Sequence, residues 1–212
     1  MGPATNERTK VKATRGDGFL ESWLATQRSR TADRMIPARL RDGRILDIGC
    51  GTHPTFLANT RFHEKSSLDQ LAMPPKTATA LGIRHETRNL ATNPRLPFAD
   101  ETFSVVTLLA VIEHLELVVA CEVLRETHRV LAPGGRVIVT TPAAWADRLL
   151  LFMAKLRIVS PEEIHEHTFA YRPATLGCAL GQAGFHPERL RCGSFELWMN
   201  LWAMAEKEPR QG

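Results

Sequence analysis

Residues 43–54 read GRILDIGCGTHP: the apolar run Ile45, Leu46 and Ile48 passes straight into Gly49, Cys50 and Gly51, then into His53 and Pro54. The run predicts a strand over 44–48, and the glycines predict a turn in which backbone can approach a ligand before a helix starts near 54. Such a helix start favours a negative group. A nicotinamide loop requires G-x-G-x-x-G, and Pro54 stands where its third glycine would be. Asp47 would also repel a pyrophosphate. A ligand carrying a cation and a carboxylate, without phosphate, fits better.

Outward from this loop the chain alternates strands and helices. Phe19, Leu20, Trp23 and Leu24 recur at helical spacing in an N-terminal helix over 18–40, which Pro37 closes or bends. A second strand ends near Asp69, and QLAMPPKTATALG, broken by prolines, cannot be one regular helix. IRHETRN is a strand, LATNPRLPFADET a loop, and the continuously apolar FSVVTLLAV a strand buried on both faces. A helix over 116–131 carries Leu117, Ala120, Cys121, Leu124 and Leu131 on one stripe, APGG stops it, and RVIVTTP is again a buried strand. Pro173 opens a helix that Gly184 closes, HPERLRC is a strand, and FELWMNLWAMAEK is a last strand returning antiparallel. This alternation predicts an α/β fold, a mostly parallel sheet with helices on both faces and its ligand at the carboxyl ends of the strands.

Composition bounds the function. The 212 residues, 43% hydrophobic and 24% charged, suit a single domain over 18–205, with 1–17 expected as a flexible segment and 206–212 as a flexible tail. No run approaches the roughly 18 apolar residues of a membrane span, and the N-terminus lacks the apolar core of a signal peptide, so a cytoplasmic location is expected. Cys50, Cys121, Cys178 and Cys192 have no paired spacing and read as buried, reduced thiols. Ten Lys/Arg against five Asp/Glu fall in residues 1–44, but Arg28, Arg30, Arg34 and Arg39 sit among helix formers and read as a solvated face. Without aromatic residues interleaved, this argues against nucleic-acid binding.

ILDIGCG (45–51), LPFADETFSVV (96–106), VIEHL (111–115) and RVLAPGGRVIVTTP (129–142) together resemble the successive motifs of class I S-adenosylmethionine-dependent methyltransferases, nearest to the small-molecule group called type 11. The resemblance covers about residues 43–205 and implies a Rossmann-like, seven-stranded sheet whose last strand is antiparallel. It further implies that S-adenosylmethionine is the cofactor. Gly49 and Gly51 would then pass backbone close to its methionine and ribose parts, with Asp47 orienting the loop and the ammonium. Asp69 would accept both ribose hydroxyls, Asn89 the adenine amino group, and Ala110 would line the methyl site through backbone. Cys50, Gln70 and Leu90 complete the implied cofactor set. Two positions depart from the family: His53 replaces the loop's third glycine and reads as a helix-start residue before Pro54, and Ser104 stands where Asp is common and can bridge locally.

Methyl transfer is an in-line displacement in which the protein mainly aligns the acceptor, so a base is optional. Where one is needed histidine suits it, and His167, His114 and His165 are the candidates, in that order. Relatives that methylate catechol-like hydroxyls bind a divalent metal in the segment matching AVIEH. Glu113 and His114 match there, but Ala110 replaces an acidic ligand, so no metal is assigned. The interruption at 143–172 is expected to be a lid, and its apolar run Leu149–Met153 within 147–156 would cover the site, make a dimer contact or touch a membrane surface. A small, partly apolar acceptor methylated on O or N is the leading expectation. An RNA or protein methyltransferase and a non-catalytic interaction protein of the same fold are the alternatives. LLAVIEH lacks the Asn-Pro-Pro-Tyr type motif of amide or base methylation.

Overall fold

The run that opens the sequence forms β1, Arg44–Ile48, whose last four residues are buried. In the computed structural model, which describes residues 19–145, 169–196 and 198–210, six further strands extend β1 into one sheet. These are β2 Glu64–Asp69, β3 Ile83–Thr87, β4 Phe103–Leu109, β5 Leu131–Pro142, β6 Leu190–Phe195 and β7 Asn200–Glu206. Their order is β3-β2-β1-β4-β5-β7-β6. All neighbouring pairs are parallel except those of β7, which runs antiparallel to both β5 and β6. The order reverses at β1, so a crevice opens where the chain leaves β1 and β4 toward opposite sides, the usual ligand position in such sheets.

The helices are α1 Phe19–Arg34, α2 Thr55–Asn59, α3 Pro75–Leu81, α4 Leu117–Val130 and α5 Pro173–Gln182. Alternation along the strands divides two cores. Leu46, Ile48, Val106, Val137 and Val139 pack with α4 and α5 on one face, and Ile45, Val105 and Ile138 pack with Ala32, Ile36 and Phe56 on the other.

Several boundaries differ from the sequence reading. The first helix ends at Arg34, and Pro37, which has no N–H to donate, precedes a separate 3-10 turn, Ala38–Leu40. The helix after the glycine loop has only five residues, with Pro54 at its N-cap rather than inside it. On α4 the buried stripe is Ala120, Val123, Leu124, Thr127 and Val130; Leu117 is exposed, and Leu131 has left the helix as the first residue of β5. APGG follows the end of the helix as an irregularity inside β5, where Leu131 pairs Phe103 and Arg136 pairs Val105, with Gly134 at φ +74°. The segment 195–207 is not one strand: β6 ends at Phe195 and β7 begins at Asn200. Of the cysteines, Cys50 is buried but Cys178 is exposed, and all four are free.

Two motif spacings acquire a physical cause. Arg129, from RVLAPGG, donates to the carbonyls of Phe98 and Leu96 at 2.9 and 3.0 Å and pairs with Asp100 and Glu126, while Glu126 accepts from the Leu96 N–H at 2.9 Å. One guanidinium thus holds the LPFAD loop against α4. Ser104 uses its single hydroxyl proton between the carbonyls of Leu40 and Arg44, at 2.8 and 2.9 Å, and so bridges the 3-10 turn to β1.

Candidate functional site

At the end of β1 the chain turns through Gly49 at φ +75° and Gly51 at φ +65°, where side-chain-bearing residues are strained. Gly49 has a second reason to be glycine: a Cβ there would lie 2.3 Å from Val111 Cγ2. The loop after β1 is thus pressed against the residue following Ala110. Three contacts then gather the strand ends. The Gly49 N–H donates to the Leu68 carbonyl at 2.8 Å, and the Gly51 N–H donates to Asp69 Oδ2 at 2.7 Å. On the other side, the Ala110 N–H donates to the Thr140 carbonyl at 2.9 Å, tying β4 to β5.

Asp69 is buried, and its second oxygen accepts from the Leu71 N–H at 2.8 Å. Each carboxylate oxygen offers about two lone pairs, so acceptor capacity remains for a pair of hydroxyls. The turn it braces is held further by His85, whose Nε2 lies 3.0 Å from the Leu71 carbonyl and whose Nδ1 lies 2.9 Å from Ser67 Oγ. A carbonyl can only accept, so Nε2 carries the proton and Ser67 donates to Nδ1. Asp47 is also buried and accepts from the Thr107 hydroxyl at 2.7 Å. Ala110 adopts φ +58°, an uncommon conformation for a residue with a Cβ and one that concentrates at functional sites.

The fold therefore brings Asp47, Gly49, Cys50, Gly51, Asp69 and Ala110 to one rim. Gln70 is exposed beside Asp69. Asn89 lies beyond the end of β3 and is exposed, its amide oxygen accepting from the Ala91 N–H at 2.9 Å, while the Leu90 side chain is buried in the core. His114 is exposed at the end of the 3-10 turn Ile112–His114, whereas its neighbour Glu113 is buried. His165, His167 and the lid expected at 147–172, up to residue 168, lie outside the described residues.

Sequence reasoning missed Arg28. It reads as one of four arginines on a polar helix, yet α1 lays it, with Ala25 and Ser29, along a cleft whose other wall is Asp47, Gly49, Cys50, Phe56 and Leu109. Arg30, Arg34 and Arg39 are exposed as expected. Only the packing of α1 over the glycine loop separates the first arginine from the others.

A family model described as a methyltransferase domain matches residues 20–190. The chain belongs to this family. The methyltransferase fold is shared widely: an S-adenosylmethionine-dependent methyltransferase from Thermotoga maritima, 16% identical, superposes with a TM-score of 0.63 over 90% of this chain and 96% of its own. A second S-adenosylmethionine-dependent methyltransferase, from Mesorhizobium loti, is 19% identical with a TM-score of 0.59 over 85% of this chain and 98% of its own. The PH0226 protein of Pyrococcus horikoshii, 17% identical, superposes at 0.64 over 97% and 100%. No curated protein sequence matches, so the family model and the fold carry the relationship. This methyltransferase is an enzyme that uses S-adenosylmethionine, and its rim presents the buried Asp47 carboxylate and the Arg28 cation along one cleft, the buried Asp69 carboxylate beyond it, and glycine backbone between.

Proposed function

We propose that this methyltransferase transfers the methyl group of S-adenosylmethionine to a small, partly apolar acceptor held at the carboxyl ends of β4 and β5 and the start of β7. When bound, the cofactor supplies a methyl carbon activated by a positive sulfonium. Asp47 orients the glycine loop and holds the ammonium, and Arg28 pairs with the carboxylate of the methionine part. Gly49, Cys50 and Gly51 pass backbone along the ligand, Asp69 and Gln70 hold the ribose, and Asn89 and Leu90 border the adenine. Ala110 lines the methyl site through its backbone. The observation that carries this reading is the convergence of Gly49, Gly51, Asp69 and Ala110 on one rim, drawn together by the Gly51 to Asp69 hydrogen bond and the close approach of Gly49 to Val111.

No described helix is long and apolar enough to cross a membrane, and the four free thiols support a reducing, cytoplasmic setting. Calorimetry tests the reading: S-adenosylhomocysteine is expected to bind and NADH not to, and S-adenosylmethionine is to be converted to S-adenosylhomocysteine once an acceptor is supplied. Tight NADH binding with no response to S-adenosylhomocysteine would defeat it.

Arg28 has its own expected outcome. Removing a charge-assisted, two-pronged contact to a carboxylate costs about 1.5–3 kcal/mol, so Arg28→Ala should bind S-adenosylhomocysteine roughly 10- to 100-fold more weakly. Arg28→Lys should recover part of the loss, because it keeps the charge without the planar fork. Titration of both variants checks this. Parent-like affinity in Arg28→Ala would leave Arg28 on the wall of the cleft without a role in the cofactor site.

A further inference from the structure

The turn between β6 and β7 holds two residues in the left-handed region, Glu196 at φ +51° and Trp198 at φ +64°. Neither is a residue type that adopts this conformation readily, and such strain concentrates at ligand sites. Hydrogen bonds maintain it. Glu196 Oε2 accepts from Asn200 Nδ2 at 2.5 Å, the Met199 N–H donates to the Glu196 carbonyl at 3.1 Å, and the Trp145 indole N–H donates to the Trp198 carbonyl at 3.0 Å. With Oε2 tied to the buried Asn200, Glu196 Oε1 is itself buried and has no hydrogen-bond partner among the described residues. An acidic oxygen withdrawn from water without a donor is costly, and a ligand that brings a donor removes the cost.

This oxygen lies at the same end of the sheet as Ala110. Asn200 pairs with Pro142 at the end of β5, and β5 lies beside β4, whose end carries Ala110. Burial pushes the Glu196 carboxyl above the ordinary glutamate range, against the pull of Arg28, which lines the cofactor cleft with Asp47 and Gly49. Glu196 is thus within electrostatic reach of Arg28. Trp145 and Trp198, 51% and 69% exposed, flank the turn, and their ring faces attract a cation or an apolar body.

We propose that Glu196 receives the protonated amine of an acceptor with an apolar body, binding its N–H at Oε1 and taking up the proton that the nitrogen must lose before methylation. The proposal rests on the methyl-transfer reading above. The ammonium gives one proton to Oε1, and the freed lone pair forms a bond to the methyl carbon as the carbon–sulfur bond breaks with its electron pair on sulfur. The N-methylammonium product keeps the nitrogen's other two hydrogens, and Glu196 returns its proton to solvent as the product leaves. Burial favours this exchange because it disfavours both charged partners, the carboxylate and the ammonium.

The test titrates phenethylamine into the protein saturated with S-adenosylhomocysteine. The parent is expected to bind it, to bind 2-phenylethanol more weakly, and to lose at least tenfold in phenethylamine affinity on Glu196→Gln. That variant keeps an oxygen for Asn200 but puts an amide N–H2 where Oε1 stood. Both proteins should bind S-adenosylhomocysteine alike. If Glu196→Gln does not fold, Glu196→Asn, which tolerates the left-handed backbone, takes its place with the same expectation. Equal phenethylamine binding by parent and variant, preference for the alcohol, or no phenethylamine binding by the parent each overturns the proposal. Failure of the parent to bind S-adenosylhomocysteine overturns the methyl-transfer reading instead.

Discussion

Asp69→Ala should weaken S-adenosylhomocysteine binding by about 100-fold or more, the largest loss expected from any single carboxylate in the chain. Two effects combine. The variant removes an acceptor for the ribose hydroxyls, and hydrogen bonds to a charged group contribute about 1.5–3 kcal/mol each. It also leaves the Gly51 and Leu71 N–H groups, which donate to Asp69 at 2.7 and 2.8 Å, without an acceptor, so the glycine loop loses its brace against β2. The sequence by itself suggests an effect on ligand binding alone, whereas the geometry adds a stability cost. For a chain of this size about 2–4 °C of melting temperature is lost per kcal/mol, so a decrease of several degrees should accompany the affinity change. Asp69→Asn separates the two contributions: one oxygen remains for one backbone donor, and its affinity should fall between parent and Ala. Calorimetric titration with thermal melting of all three proteins checks the order. If Asp69→Ala binds S-adenosylhomocysteine like the parent, Asp69 is a brace for the loop and not a ligand residue.

Gly49→Ala is expected to cost more in folding than in chemistry. A Cβ at φ +75° carries about 1–2 kcal/mol of backbone strain, and forcing it against Val111 Cγ2, 2.3 Å from its ideal position, adds an overpacking cost of about 1–3 kcal/mol. The melting temperature should fall by roughly 10 °C. Because the loop must shift to make room, cofactor affinity should fall with it. Val111→Ala in the same chain removes the methyl group that is struck and should restore the packing part while leaving the backbone part, so the two changes are non-additive in the recovering direction. A Gly49→Ala protein that melts with the parent would mean that the loop does not approach Val111 in solution.

The strongly patterned elements were legible in the amino-acid order. Ile45 to Ile48, Phe103 to Leu109 and Val137 to Thr140 are apolar at nearly every position, which only strands covered on both faces require, and alternation with helices then implies a parallel sheet. Gly49 and Gly51 were legible because positive φ has a residue signature. Asp69 was legible as an acidic residue at a strand end, though not as the acceptor of two backbone donors. The β6–β7 turn was not legible, because it reaches positive φ at Glu196 and Trp198, residue types that do not announce it, so one long strand was the natural reading of 195–207. Arg28 illustrates the same limit. Local sequence determines which residues favour helix, strand or turn, and so it determined this methyltransferase's sheet, its glycine loop and its family. Which polar groups from distant segments face one another depends on how α1 and the β6–β7 turn pack, and that packing alone set Arg28 opposite Asp47 and buried Glu196 Oε1 within electrostatic reach of Arg28.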